Sequence, residues 1–282
     1  MTQTLLALLG RGIVDADTPI LRAGDLGVVR GDGCFEGMRV LTDPSGRSEV
    51  AKLDRHLARF ARSAAALDIE FDTEGWRALI DDACAAWTRP GEAGMRPILT
   101  RGSGGRPTGF LTISTVSADY ARQRSQGIAV VTLQRGYTSA AFLETPWLLG
   151  GVKTLSYGIN MAAQREADRH GAQDAIFVSA DGDVLEAPTG SVVWAQGRAL
   201  RTTPLGATGI LAGTTQQLLF DEAAAAGWDV GDELVRVEQL HAADALWITS
   251  SVRGPVEVVT LDGRPRQRRP DLDAEIKKLS GF

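Results

Sequence analysis

Hydrophobic positions recur every three to four residues in "KLDRHLARFARSAAALDI" (52–69) and "TEGWRALIDDACAAW" (73–87), a spacing that lays one apolar stripe along a helix. Successive helical residues turn by about 100°. In the first segment this makes Leu53, Leu57, Phe60, Ala64 and Leu67 the stripe, sends Arg55 and Arg62 to the opposite side, and leaves Arg59 between these extremes. Around the helices, "GVVRGDGCFEGMRVL", "RPILTRGSGG", "GFLTISTVS" and the N-terminal "LLALLG" read as extended. Residues 1–118 are therefore expected to form an α/β or α+β unit. The pattern turns polar in "SADYARQRSQG" and resumes as strand with "IAVVTL", which places a linker at 119–126 and a second domain at 127–282. That domain alternates short strands, "DAIFVS", "DVLEA", "SVVWAQ" and "ALWITS", with turns and two helices, so a mixed, barrel-like or sandwich-like sheet is expected. A cleft between two domains is a favoured place for a ligand.

Two segments break the periodic pattern with glycines. In "GGVKTLSYGINMAAQREADRHGA" (150–172) an amphipathic helix is expected, with Ser156 as its N-cap, His170 in the last turn and Gly171 as the stop. Lys153 stands just ahead of that helix. It is either a solvated loop residue or an amine delivered to a pocket where strand and helix meet. In "LGATGILAGTTQQLLFDEAAAAGW" a glycine-rich turn feeds a helix, and the amides near Gly213, Thr214 and Thr215 point out of its N-terminus. That is an anion site, or simply a helix capped by Thr214 or Thr215. Neither this run nor "RGSGGRPTG" has the G-x-x-x-x-G-K-[ST] spacing of a nucleotide loop. Arg59, three residues after His56, is a surface arginine or a planar fork that crosses the stripe's margin to grip a phosphate.

Composition narrows the chemistry. The 282 residues, 44% of them hydrophobic, are enough for one large or two smaller cores. A net charge of -5 argues against duplex nucleic acid or an anionic membrane as partner, which leaves a small-molecule substrate. No apolar run approaches the roughly 20 residues that span a bilayer, and "LLALLG" lacks a basic flank and a cleavage signal. Cys34 and Cys84 are too few for a disulfide framework, so a reducing cytoplasm fits. His56, His170 and His241 lack metal-ligand spacing, and metal-free chemistry is expected. The basic run "RPRQRRP" (264–270), broken by prolines, reads as a solvated loop.

The segments "FEGMRV", "HLAR", "VKTLSYGINMAAQREADRHGAQDAIFVS", "VLEAPTGSVVW", "GILAGTTQ" and "ITSS", in that order, resemble the class IV aminotransferase family over nearly the whole chain. These are pyridoxal 5′-phosphate (PLP) enzymes of fold type IV. The resemblance implies a small N-terminal α/β domain, a larger C-terminal PLP-binding domain and a homodimer. It matches Lys153 to the lysine that joins PLP through its amine. Glycines 150 and 151 would then leave space beside the cofactor. Such an amine must be neutral, whereas a free lysine has a pKa of about 10.4. Glu186 matches the glutamate facing the pyridine nitrogen, and Leu211 the leucine packed on the ring. Arg59, Gly213, Thr214, Thr215 and Ser251 match the phosphate cup. Tyr157 resembles a tyrosine near the cofactor's phenolic oxygen, with a one-residue gap. Phe35 and Glu36 fall in the pocket-lining stretch, where Arg39 is a ready ion-pair partner for Glu36. Cys34, beside them, reads as buried filler. The chain departs from the family at "EAPTGSVVW", with Pro188 for a small residue and Val192 where asparagine is usual.

Substrate-facing residues divide the family. "TRGSGGRPTG" resembles the corresponding stretch of 4-amino-4-deoxychorismate lyases and makes Arg106 a candidate for binding a substrate carboxylate by a bidentate pair, although a surface loop is the plain alternative. "FEGMRV" leans toward branched-chain aminotransferases. The expected function is thus aminodeoxychorismate lyase, with branched-chain or D-amino-acid aminotransferase as the alternative and a non-catalytic PLP-binding module as a remote one.

Overall fold

The computed structural model describes residues 4–282 and divides them into two compact units. The first comprises the described residues up to Ser117 together with Val152–Ser156; the second comprises Ala118–Gly151 and Tyr157–Phe282.

The first unit runs β1 (Thr4–Leu8), β2 (Gly12–Val14), α1 (Leu26–Arg30), β3 (Gly33–Phe35), β4 (Met38–Thr42), β5 (Ser48–Val50), α2 (Leu53–Ala66), α3 (Thr73–Ala86), β6 (Gly91–Ser103) and β7 (Arg106–Thr115). Its sheet is antiparallel, in the order β2-β1-β7-β6-β4-β5, with β3 also paired to β6. Helices gathered against an antiparallel sheet make this an α+β unit. Leu57, Phe60 and Ala64 of the expected stripe are buried, together with Trp76, Leu79, Ile80 and Ala83 of α3 and Met38, Val40 and Met95 of the sheet. The stretch read as extended from Gly27 begins instead with the short helix α1. Asp25 caps it through Gly27 N–H at 2.8 Å, and Gly31 ends it at φ 70°. Those two stops define a turn of helix that the paired valines concealed.

The second unit runs α4 (Ala118–Gln126), β8 (Ile128–Gln134), a 3₁₀ turn (Pro146–Leu148), α5 (Gly158–Arg169), β9 (Asp174–Val178), β10 (Ser191–Gln196), β11 (Ala199–Thr202), α6 (Thr214–Ala225), β12 (Asp229–Asp232), α7 (Val237–Ala242), β13 (Ala245–Ser250), β14 (Gly254–Leu261), β15 (Arg264–Pro265) and α8 (Pro270–Leu279). Its curled sheet, in the order β12-β11-β10-β13-β14-β8-β9 with β15 added on β14, is mixed as expected: β8 pairs in parallel with β9 and β14, and β11 with β12. One core lies among β8, β10, β13 and β14; another packs Trp228, Trp247, Leu219 and Ile276 under α6 and α8.

Four expectations change here, the first being that this unit carries five helices among its described residues, α4–α8, where two are expected. Residues 119–126 form most of α4, which belongs to the second unit and packs on β14. Its polarity reflects i,i+3 and i,i+4 bonds, Asp119 to Arg122 and to Gln123. "DVLEA" makes isolated bridges at Val184 and Ala187 rather than a strand, because the chain turns at Pro188 before it can extend. The run 264–270 is only partly solvated. Arg266 is half-buried, and its guanidinium donates to the carbonyls of Leu240, His241 and Ala243 at the end of α7, satisfying groups that the helix leaves open.

Candidate active site

Lys153 lies on an extended segment held by the first unit. Phe35 N–H donates to the Lys153 carbonyl at 3.1 Å, Leu155 N–H donates to the Gly33 carbonyl at 2.8 Å, and Cys34 and Thr154 form an antiparallel bridge. Lys153 N–H donates to Ser63 Oγ on α2 at 3.2 Å. Both backbone polar groups of Lys153 are thus engaged, so the residue is not a loop amine carried on mobile backbone. Gly33 makes the pairing possible, since a Cβ there would lie 2.6 Å from the Leu99 carbonyl oxygen and 2.8 Å from the Leu155 side chain. The Lys153 side chain is half-buried, with Nζ 4.5 Å from the Phe35 ring centroid. Ser156 does not cap the following helix. It belongs to the first unit, where its hydroxyl reaches the Gly31 carbonyl at 3.4 Å, whereas Tyr157 is the N-cap of α5 and makes no side-chain capping bond. His170 and Gly171 end α5 as expected, the glycine at φ 70°.

Arg59 is buried rather than on the surface. Its Nε and Nη2 donate to the two oxygens of Glu36, both at 2.7 Å. His56 Nδ1 is 2.8 Å from Glu36 Oε2, and because a carboxylate only accepts, the ring proton is on Nδ1. Arg39 pairs instead with Glu92 at 3.1 Å, since β4 and β6 bring those two strands together. Burial pushes the Glu36 carboxyl up, but the Arg59 charge and the bonds from Arg59 and His56 outweigh it and hold the pKa at about 2. Burial lowers the His56 pKa against the upward pull of Glu36. Lys52, at φ 60° just before α2, is brought down to about 8 by burial and by the charges of Arg39, Arg55 and Arg59. Burial, with Glu36 nearby, pushes the Cys34 thiol up to about 12, which fits filler.

Arg106 is exposed where β7 leaves a tight hairpin. Gly104 and Gly105, at φ 63° and 75°, make the two-residue turn that joins β6 to β7.

In the second unit Glu186 and the start of α6 are one construction. Leu211 N–H donates to Glu186 Oε2 at 3.0 Å, and the Glu186 carbonyl takes Phe177 N–H at 2.8 Å. Two residues beyond Leu211, Gly213 is the N-cap of α6, and no side chain caps that helix. A Cβ at Gly213 would lie 2.3 Å from Ser191 Oγ, so any larger residue there would have to turn that hydroxyl aside. Thr214 and Thr215 are buried in the first turn. Thr214 Oγ1 is 2.9 Å and Thr215 Oγ1 3.5 Å from Ser251 Oγ, which gathers three hydroxyls at a helix N-terminus. The departures near Glu186 are structural. Ala187–Gly190 is a turn closed by Gly190 N–H to the Ala187 carbonyl, with Pro188 at the position proline favours, and Val192 is core within β10.

The double glycine at 150 and 151 is accounted for by packing. Phe142 covers the bare face of Gly150, where a Cβ would come within 2.5 Å of its ring, and that of Gly209, where the distance would be 2.3 Å. Gly151, at φ 73°, donates to the Gly209 carbonyl at 2.9 Å. The space expected beside a cofactor at Gly150 is filled by this ring. Tyr137 meets Phe142 edge-on at 4.9 Å, and burial raises its phenol pKa, with Arg135 opposing and Glu186 adding to the shift. Ser63, Phe142 and Tyr137 carry no signal in the sequence, and Glu36, expected in the pocket-lining stretch, has His56 and Arg59 as its partners in place of Arg39.

The first unit therefore offers a pinned amine and an ion-paired arginine, the second an anchored carboxylate and an uncapped helix start rich in hydroxyls. A carboxylate held by the Leu211 amide, two residues before a helix start rich in hydroxyls, suits a phosphorylated, ring-nitrogen cofactor. Among the described residues no group of three His, Cys, Asp or Glu could hold a metal, and no helix is long and apolar enough to cross a membrane.

The amino-transferase class IV family model matches residues 33–261. The chain is 38% identical over 277 residues, 94% of each protein, to a bifunctional aminodeoxychorismate lyase / D-amino acid transaminase of Mycobacterium tuberculosis. It is 25% identical to an aminodeoxychorismate lyase of Bacillus subtilis, over 86% of this chain and 82% of that one. A hypothetical aminotransferase from Mycobacterium tuberculosis in PLP-bound form superposes with a TM-score of 0.92 at 38% identity, covering 99% of this chain and 98% of that one. A fold IV transaminase from Curtobacterium pusillum gives 0.91 at 38% identity, covering 99% and 97%.

Proposed function

Because this chain belongs to the class IV aminotransferase family, enzymes of fold type IV that use PLP, we propose that it releases pyruvate and p-aminobenzoate from 4-amino-4-deoxychorismate. The observation that carries the reading is the anchoring of Glu186 by the Leu211 amide at the mouth of the Gly213 turn. It supports the reading because it ties a fixed anion to the start of a helix whose amides and hydroxyls suit a phosphate. Bound there, PLP supplies an electron sink that stabilises a carbanion at the amine-bearing carbon.

In this reading Lys153 would hold the cofactor through its amine, and that amine is the base that takes the proton from the substrate's amine-bearing carbon. Glu186 holds a proton on the pyridine nitrogen. Gly213, Thr214, Thr215, Ser251 and Arg59 bind the phosphate, Leu211 packs on the ring and Tyr157 orients its phenolic oxygen. Phe35 lines the substrate pocket, and Arg106 binds a substrate carboxylate by its fork. Loss of pyruvate leaves an aromatic ring, which drives the release. The working form is a cytoplasmic homodimer, which sedimentation of the purified protein tests.

A second reading, amino-group transfer from a D-amino acid, is favoured by the combined name of the Mycobacterium tuberculosis relative. There Lys153 returns the same proton at a different atom. Holoenzyme incubated with aminodeoxychorismate and no keto acid is expected to yield p-aminobenzoate and pyruvate in equal amounts. No product would overturn the lyase reading. D-Alanine-dependent conversion of 2-oxoglutarate to glutamate tests the second.

A further inference from the structure

The face of α2 that packs on the first unit's sheet buries three polar side chains on successive turns, His56, Arg59 and Ser63, beside the apolar stripe. All three engage one short region. His56 and Arg59 converge on Glu36, and Ser63 Oγ accepts the N–H of Lys153, whose carbonyl accepts the N–H of Phe35, the residue before Glu36. Glu36 is fully buried. A carboxylate so enclosed costs more than an apolar side chain of similar size, so its presence asks for a reason besides stability. Its two parallel bonds to Arg59 supply one, because a bidentate pair fixes the plane of the guanidinium and the direction of every N–H on it.

Charge alone would argue the other way. An anion behind the arginine weakens that arginine's pull on a phosphate, while Arg39, Lys52 and Arg55 keep the surroundings positive. If Glu36 mattered only as a charge, neutralising it would tighten phosphate binding; if it orients Arg59, neutralising it would loosen binding.

We propose that Glu36 is a positioning residue for the cofactor: it sets the plane of the Arg59 guanidinium that meets the phosphate and, through the Phe35 amide, keys that plane to the strand carrying Lys153. This rests on the roles proposed above for Arg59 and Lys153. The test strips cofactor from purified holoenzyme and titrates back PLP and, separately, pyridoxal, which lacks the phosphate, following the visible band. In E36Q the Kd for PLP should rise about tenfold, the scale of one charge-assisted hydrogen bond, with that for pyridoxal unchanged. The ³¹P resonance of bound PLP should broaden or move. Unchanged or tighter PLP binding overturns the proposal. R59Q separates the layers: if R59Q loses the preference for PLP over pyridoxal and E36Q keeps it, the proposal alone fails, whereas an unchanged preference in R59Q removes the reading of Arg59 and the proposal with it. Should E36Q not fold, E36D, which keeps the charge and shortens the reach, should show a smaller loss of the same preference. An unchanged preference in folded E36D overturns the proposal equally.

Discussion

The backbone N–H of Leu211 donates to Glu186 Oε2 at 3.0 Å, so the carboxylate proposed to face the ring nitrogen is held by the loop that starts α6. Glu186→Gln keeps an acceptor for that amide but loses the charge. Turnover should fall by about 100-fold or more while the melting temperature stays near wild type. Glu186→Ala also deprives the amide of its acceptor, and about 1 kcal/mol of stability should go with it. Steady-state kinetics beside thermal melts separate the two effects.

Lys153 is pinned by its backbone, through Ser63 and Phe35, so its side chain can be removed without unpinning the strand. Lys153→Ala should abolish turnover and eliminate borohydride-trapped label. Unfolding free energy should fall by about 1 kcal/mol, the scale of the lost contact with the Phe35 ring. Denaturant titration and peptide mapping check both halves; label at another lysine would refute the assignment.

Acid should weaken the first unit in two stages. The His56 pKa is lowered in the fold, so below about 6.5 the unfolded chain takes up a proton that the folded chain refuses, and stability falls with pH. Glu36, held at about 2, contributes stability that is complete above its ordinary range near 4.5 and is lost as pH falls toward 2. This second stage is on the order of 2–3 kcal/mol. Urea melts from pH 7 to pH 3 should show the decline, and E36Q should flatten its lower part.

Thiol chemistry offers an independent check on burial. Burial pushes Cys34 to about 12 and Cys84 to about 11. At pH 8 neither should react with a disulfide reagent while folded, and both should react at once in denaturant. Fast modification of either in the native protein would contradict the packing.

Gly209 and Gly10 both adopt positive φ, 69° and 75°, but only Gly209 faces a ring, that of Phe142. Gly209→Ala should therefore cost about 2–4 kcal/mol, overpacking plus backbone strain, against about 1 kcal/mol for Gly10→Ala, where strain acts alone. Equal losses would mean that Phe142 yields freely.

Much of this architecture is legible along the chain. The α2 stripe, α3, β8, β10 and β13 follow from local periodicity, which depends on neighbours a few residues away. The glycine turn at Gly213 and the lysine at 153 stand out because glycine and a charged residue interrupt an otherwise apolar run. What escapes is long-range pairing. Glu36 has an arginine three residues on, yet its partners are His56 and Arg59, because α2 packs back across β3 after an intervening strand pair. Gly150 signals close approach without saying to what, and the answer, Phe142, depends on how an irregular loop folds on itself. The start of α5 failed for a related reason: Ser156 has the chemistry of a cap, but its segment is recruited as a strand elsewhere.

The five residues Val152–Ser156 have a consequence for anyone who wishes to divide this protein. The chain leaves the second unit after Gly151 and rejoins it at Tyr157, so no single cut yields both units whole. A fragment ending at Ser117 would expose the outer edge of β3, inviting self-association, and would lack the only lysine of that insertion. Swapping the first unit between relatives therefore requires two grafts, the second no longer than a pentapeptide, and a chimera made with one junction would combine a strand and a sheet of different ancestry.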